Sequence, residues 1–247
     1  MRGLKAIITK EIMSFFTSPT GYIVGMIFLI GTGVFFTIDL GNPFPEASLT
    51  RFFVGLNFGQ TTFGGVTLIL ILIAPILTMR LISEEQKLGT IELLLTSPVR
   101  DWEIIIGKFI ASFIFLLFMI GLTLYYPILL FLLADPDPGP IYSGYLGLIL
   151  YGALTLSIGL LASTLNSNQI VSAVVAMGVL LILYFADYAS TVVTGFWSTF
   201  IQEIGIKSHF DDFHKGIIDS HDIVYFVTIT LLFIFLSIRI LESRRWR

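Results

Sequence analysis

The chain has 247 residues, of which 55% are hydrophobic and only 13% charged, and its formal net charge is −3. A soluble domain carries about a quarter charged residues, so this composition excludes an ordinary soluble globular protein. The near-neutral balance without a long basic stripe argues against a nucleic-acid partner, and the lack of cysteine excludes disulfides, thiolate metal ligands and a thiol nucleophile.

The N-terminal residues 1–18 combine apolar side chains with several charges. Because the charges interrupt any apolar core, the segment is not predicted to be a signal peptide. Glu11 interrupts an otherwise apolar helical face. We therefore expect an amphipathic helix along the membrane interface. The apolar residues of that face are Leu4, Ile8, Ile12 and Phe15.

Uncharged apolar runs recur along the rest of the chain at the length of about 20 residues that a membrane helix needs. The turn sequence DPDPGP at 135–140 separates two of them, and NSNQ at 166–169 divides a run long enough for two crossings. The sequence therefore predicts an all-α membrane protein that forms a single permease-like domain. Its six predicted spans are about 20–38, 63–80, 108–134, 141–164, 170–187 and 223–240.

Lysine and arginine are distributed unevenly between the two sides that six spans create. Both termini fall on one side, which holds eleven of these cations, while the other side holds three. The positive-inside rule then places both termini and the segment 80–108 in the cytoplasm. The three cations of the other side are Arg51, Lys207 and Lys215.

The segment 80–108 is the most densely charged part of the chain. Ser83 and Gln86 fit a capping box, two glutamates follow in the first turn, apolar residues recur at helical spacing, and Pro98 ends the pattern. This predicts a short amphipathic helix over 83–97. Three interpretations stay open from the residues alone: a docking helix for a cytoplasmic partner, a helix resting on lipid or on its own protein, and a loop without a role.

The segment 188–222 has an aromatic, apolar first half and a charged second half. We expect the first half to dip into the outer interface as a re-entrant segment and the second half to form a surface for an external partner. A histidine and carboxylate metal site and a plain solvated loop are the alternatives, but the spacing fits no known metal motif, so we expect no metal. The predicted partner surface is His209, Asp211, Asp212, His214 and Lys215.

The chain lacks the motifs of an energy-converting or catalytic protein. It contains no phosphate-binding loop, no HExxH and no GxSxG motif, so we expect no catalytic residues and no cofactor. The apolar cores of the predicted spans carry no ionisable residue, which argues against an ion-coupled carrier. Energy for any work is therefore expected to come from a partner.

Four segments resemble known permeases. Residues 84–112, EEQKLGTIELLLTSPVRDWEIIIGKFIAS, resemble the segment shared by ABC-2 type permeases, the membrane halves of a class of ATP-driven transporters. Residues 10–24, 162–173 and 205–226 are similar to the permease of the gliding-motility-associated ABC system, and the last, GIKSHFDDFHKGIIDSHDIVYF, is the most specific.

The resemblance implies a bacterial inner-membrane subunit that moves an unknown substrate. It implies that residues 1–18 form an elbow helix in contact with lipid. The expected partners are a cytoplasmic ABC ATPase, a second permease copy or a related permease, and an auxiliary membrane subunit with an external domain. A membrane anchor that transmits ATPase motion without transport is the alternative. The implied ATPase-coupling residues are Glu84, Glu85, Leu88, Gly89, Ile91 and Leu95.

Overall fold

The computed structural model describes residues 2–40, 49–58, 61–90, 100–192 and 195–245. Helices dominate these residues, and six helical segments are long and apolar enough to cross a membrane. The predicted class, an all-α membrane protein with six spans, is confirmed. One short β-hairpin is the departure from it within the described ranges.

The first half of the chain contributes two spans and the segments that flank them. These elements are α1 (Arg2–Thr17), α2 (Pro19–Leu40), α3 (Thr50–Val54), β1 (Leu56–Phe58), β2 (Thr61–Phe63), α4 (Gly65–Thr78) and α5 (Ser83–Lys87).

The second half contributes four spans and a pair of short helices between the last two. These elements are α6 (Asp101–Thr123), α7 (Tyr125–Leu133), α8 (Pro138–Leu165), α9 (Gln169–Val192), α10 (Phe196–Ile204), α11 (Ile206–His214) and α12 (Ser220–Arg245).

The β-hairpin precedes the second span and was not predicted. Its strands pair antiparallel, with Leu56 opposite Phe63. Gly64 and Gly65 follow it with φ of 105° and 68°, a region that favours glycine, so the chain can turn directly into α4. A Cβ on Gly65 would lie 2.5 Å from the carbonyl oxygen of Phe53, so a side chain there would collide with α3.

The third span is divided by a proline. Helix α6 ends at Thr123 and α7 begins at Tyr125, two residues before Pro127. Proline has no N–H, and its ring clashes with the carbonyl four residues earlier, which here is that of Thr123. The break between α6 and α7 therefore follows from Pro127.

Helix α8 is the central span. In its most apolar window 72% of the residues are buried, against 22% in α9 and in α12. Five helices (α4, α6, α9, α11 and α12) pack around it. The free faces of α9 and α12 are therefore available to lipid or to another chain.

The N-terminal helix α1 lies across α6. Phe15 stacks on Phe115 with ring centroids 5.1 Å apart. At Gly107 an added Cβ would come within 2.9 Å of the side chain of Ile7, so glycine permits the close crossing. Helix α1 is thus fixed to the third span by direct packing.

Candidate functional site

A buried lysine joins three separate elements. The Lys108 side chain on α6 is 2% exposed, and its ammonium nitrogen lies 2.8 Å from Glu11 Oε1 of α1 and 2.9 Å from Glu85 Oε1 of α5. We call these three residues the lysine junction. Lys10 lies 3.8 Å from the same Glu85 oxygen at its solvent side. A lysine is almost never fully buried unless it is paired, and here two carboxylates provide the pairing.

A serine of the central span holds the start of α5. The backbone N–H groups of Ile82 and Ser83 both donate to Ser163 Oγ, each at 3.1 Å, and Gln86 Nε2 donates to the carbonyl of Thr164 at 3.0 Å. Ser83 Oγ donates to the Ser163 carbonyl. The predicted capping box of Ser83 and Gln86 is therefore wrong, because both side chains bond to α8 instead of to their own helix.

The predicted helix over 83–97 is wrong at its centre. The helix ends at Lys87, and residues 88–90 form a turn in which Gly89 has a φ of 70°. A glycine in this conformation is a common way for a helix to stop. Ile91 and Leu95, which were predicted to continue the apolar stripe, lie outside the described residues.

The turn after α5 presents an apolar side chain to solvent. Leu88 is 67% exposed, and Gly89 and Thr90 are also exposed. Glu84 is half-buried, and its carboxylate has no ionic partner in the described part of the chain. Glu85 was predicted to face a partner protein, but its carboxylate bonds inward to Lys108. Of the predicted coupling residues that the structure describes, Glu84, Leu88 and Gly89 are therefore available to a partner.

Helix α11 contacts the end of α8 that lies opposite the end bonded to α5. Ser143 Oγ donates to the carbonyl of Phe213 in α11 at 2.6 Å, whereas α5 is bonded near Ser163. Twenty residues of helix separate the two contacts, which is about 30 Å at 1.5 Å per residue. That distance matches the hydrocarbon thickness of a bilayer, so α5 and α11 lie on opposite sides of the membrane region.

An aspartate at the end of the fifth span caps α11. Asp187 Oδ2 accepts hydrogen bonds from the backbone N–H groups of Lys207 at 2.9 Å and Ser208 at 3.1 Å. These are first-turn donors that have no partner within the helix. Gly205 sits directly against the same carboxylate, where a Cβ would collide with it. The segment predicted as a re-entrant loop is thus helical over α10 and α11.

His209 is not on the surface, which corrects its predicted role. It is 6% exposed, with Nδ1 2.7 Å from Asp222 Oδ1 and its ring stacked 3.9 Å from that of Tyr225. His209, His221 and Asp222 place possible metal-ligand atoms within 4.8 Å of one another. The other ring nitrogen of His209, Nε2, lies 3.3 Å from the carbonyl oxygen of Glu203. The expectation of no metal stays a prediction.

The remaining predicted surface residues differ in exposure. Asp212 and Lys215 are exposed and paired at 3.1 Å. Asp211 and His214 are partly buried beside them. Burial raises the pKa of Asp211 to about 6 and lowers the pKa of His214 to about 4, with the nearby Lys215 also lowering the latter. Only Asp212 and Lys215 are therefore well placed for contact with another protein.

These two pKa shifts predict opposite responses to acid. The raised pKa of Asp211 contributes stability below pH 3.8 that is lost as pH rises through about 6. The lowered pKa of His214 contributes stability above pH 6.5 that is lost as pH falls through about 4. The quantity to compare is the thermal unfolding midpoint of each variant minus that of the wild type. When the pH is lowered from 7 to 5, this difference should fall for Asp211→Asn and rise for His214→Asn. Shifts of the same sign in both variants would contradict the assignment.

Several residues of these sites were missed in the sequence. The sequence places Lys108 at the start of the third predicted span and Glu11 as an interruption of an apolar face. A charge that breaks an otherwise apolar face is itself a signal of a buried partner, but the sequence does not say which cation it meets. Nothing in the sequence pattern indicated Ser163 or Asp187, whose roles depend on contacts between distant segments.

Comparison with protein families gives one match over most of the chain. A family model described as "ABC-2 family transporter protein" matches residues 5–202, about four fifths of the sequence. The matched region includes the lysine junction and the Ser163 contacts, and it ends before α11.

Curated relatives match over shorter regions. The protein named "Probable multidrug ABC transporter permease YbhS" of Escherichia coli K12 is 32% identical over 114 residues, 46% of this chain and 30% of that protein. "Probable multidrug ABC transporter permease YbhR" of the same strain is 32% identical over 94 residues, 38% of this chain and 25% of that protein. The matches therefore span less than a third of each relative.

Proposed function

The chain belongs to the ABC-2 family of transporter proteins, and from this we propose that it is the membrane-spanning permease subunit of an ATP-driven transporter, energised by a separate cytoplasmic ATPase at the turn after α5. The lysine junction is the observation that supports the turn after α5 as the site of coupling. Motion of Leu88 and Gly89 in an ATPase groove would reach α1 and α6 through Lys108, and α8 through Ser163.

The coupling residues that remain available are a smaller set than the sequence predicted. Leu88 and Gly89 would contact the ATPase, Glu84 would border that contact on the side of α1, and Glu85 would transmit the motion inward. Its carboxylate is held by a charge-assisted hydrogen bond, which is stronger than one between neutral groups. A displacement of α5 therefore moves Lys108 or breaks the junction, and either result changes how α1 packs on α6.

The proposed complex contains further chains. A second permease copy or a related permease would cover part of the free faces of α9 and α12. The resemblance of residues 205–226 to the gliding-motility-associated permease supports membership of that system, with an auxiliary subunit whose external domain meets Asp212 and Lys215. Residues 188–204 would close the outer end of the pathway.

The orientation in the bacterial inner membrane follows from the uneven distribution of cations. We expect both termini and the segment 80–108 to be cytoplasmic. Reporter fusions at Pro98 and Pro138 should report opposite sides, with the cytoplasmic signal at Pro98. If both reporters give the same side, the six-span topology in the cell is wrong.

A membrane anchor without transport is the second candidate function. It would keep the ATPase contact and the external partner contact but move no solute. Purification from native membranes with identification of partners and bound small molecules, followed by reconstitution in proteoliposomes, separates the two. ATP-dependent movement of a copurified solute supports the permease, whereas ATP hydrolysis and partner motion without any solute movement support the anchor.

A further inference from the structure

A groove opens between α1, α2 and α4 on the α5 side of the membrane region. Its volume is about 480 Å³, and it continues into a second cavity of about 470 Å³ beside α5. The two cavities form one path, since they share Glu11, Ser14, Arg80, Leu81 and Glu84. We call this path the interfacial groove. The cavity beside α5 is its charged end, which we call the vestibule, and the end between α2 and α4 is apolar. The ionisable residues of the vestibule are Lys10, Glu11, Arg80, Glu84, Glu85 and Lys108.

Most charges of the vestibule are already paired within the chain. Lys108 is neutralised by Glu11 and Glu85, and Lys10 also lies near Glu85. Arg80 and Glu84 are left, one cation and one anion, with no ionic partner in the described part of the chain. The vestibule therefore offers one free charge of each sign, and its six ionisable groups sum to no net charge.

Arg80 is held in a position to bind an anion. Its Nη1 donates to Thr20 Oγ1 at 3.2 Å, and Thr20 Oγ1 in turn lies 2.6 Å from Ser18 Oγ. A guanidinium has five N–H donors in a planar fork, so most of them remain for a ligand. This geometry matches the oxygens of a phosphate group. An ionised Glu84 only accepts hydrogen bonds and suits an ammonium group.

The other end of the groove is apolar. Ile23 and Ile27 of α2 are more than half exposed along it, and Val24 and Leu77 lie buried behind them. These residues sit within spans that the hydrocarbon region surrounds. A ligand that fills the groove must therefore carry a charged head and an apolar chain.

We propose that the interfacial groove binds one zwitterionic phospholipid of the adjacent leaflet. Its phosphate lies against Arg80 and the hydroxyls of Ser18 and Thr20, its amine faces Glu84, and one acyl chain follows Ile23 and Ile27. The balance of charges selects a zwitterionic headgroup over an anionic one, because anionic headgroups are attracted by an excess of cations, and the three carboxylates of this groove offset its three cations. This goes beyond the proposed function, since lipid retention needs neither ATP nor a transported solute.

The test is native mass spectrometry of the full chain, purified with its partners and exchanged into an equimolar mixture of phosphatidylethanolamine and phosphatidylglycerol. We expect one retained phosphatidylethanolamine per chain. Arg80→Gln should reduce the retained fraction at least about tenfold, the effect of losing a hydrogen bond to a charged group. Glu84→Gln should abolish the preference over phosphatidylglycerol while leaving retention of lipid.

Two further variants separate binding from folding. Ile27→Trp fills the apolar end and should also remove the lipid, whereas Val34→Trp, at an exposed position of the same helix outside the groove, should not. Arg239→Gln, at an exposed arginine paired with Glu242, serves as the charge control. Equal retention of the two lipids by the wild type, or unchanged retention in both Arg80→Gln and Ile27→Trp, would overturn the proposal.

Discussion

Lys108→Met should be among the most damaging substitutions in the chain. Methionine has nearly the same length but no charge, so the partly buried carboxylates of Glu11 and Glu85 would lose their shared cation, and among the described cations only the exposed Lys10 would remain near Glu85. Removing one partner of a buried ion pair costs about 3–5 kcal/mol, because the remaining charge is not solvated. We expect a much lower thermal unfolding midpoint of the purified protein and protease cleavage of α1 under conditions in which the wild type is resistant.

The matched control for Lys108→Met is Arg239→Met. Arg239 pairs with Glu242 at 3.0 Å but is 63% exposed, and exposed pairs contribute about 0.2–1 kcal/mol. Adding Glu11→Gln and Glu85→Gln to Lys108→Met should restore much of the stability, because the three residues of the lysine junction are then uncharged. If Lys108→Met and Arg239→Met lower the midpoint equally, the lysine junction does not hold these elements together.

Gly89 should control coupling through its backbone conformation alone. Its φ of 70° is unfavourable by about 1–2 kcal/mol for most other residues and unreachable for proline, whose φ is fixed near about −65°. No atom of the residues that the structure describes lies within 4 Å of the position of an added Cβ, so steric clash with them does not contribute. We expect ATPase binding and coupled hydrolysis to fall in the order Gly89→Asn, Gly89→Ala, Gly89→Pro, with membrane insertion unchanged.

Gly89→Asn is the internal control of this series, since asparagine adopts the left-handed conformation more readily than other side chains. Its coupling should stay close to that of the wild type. The readout is ATP hydrolysis by the copurified ATPase in proteoliposomes, together with the amount of ATPase that copurifies. Wild-type coupling in Gly89→Pro would show that the turn after α5 is not the coupling element.

The membrane architecture could be predicted from the sequence because it depends on composition over long windows. Long uncharged runs, one of them divided by NSNQ, and their turn sequences specify six helices without knowledge of any contact between them. The β-hairpin before α4 was missed because only the second span, about 63–80, was predicted for this region. Their positive φ values, at Gly64 and Gly65, follow from how the hairpin meets α3.

The functional residues were harder to predict because their roles depend on contacts between distant segments. The predicted coupling helix continued past Gly89 because its apolar residues recur at helical spacing. That spacing gives no information about a single glycine that adopts a positive φ and ends the helix. The same limit applies to His209, which the charged composition of its segment placed on the surface. Its burial depends on Asp222 and Tyr225 of the last span, which no local pattern connects to it.

The central claim is that an ATPase drives this permease through the turn after α5. The most direct test is site-specific photo-crosslinking in native membranes from position 88, with position 142 as the control at the opposite end of α8. Leu88 and Tyr142 are 67% and 72% exposed, so both probes are accessible. We predict an adduct with a nucleotide-binding protein from position 88 and none from position 142. An ATPase adduct at position 142, or no adduct at position 88 when the ATPase copurifies, would contradict the claim.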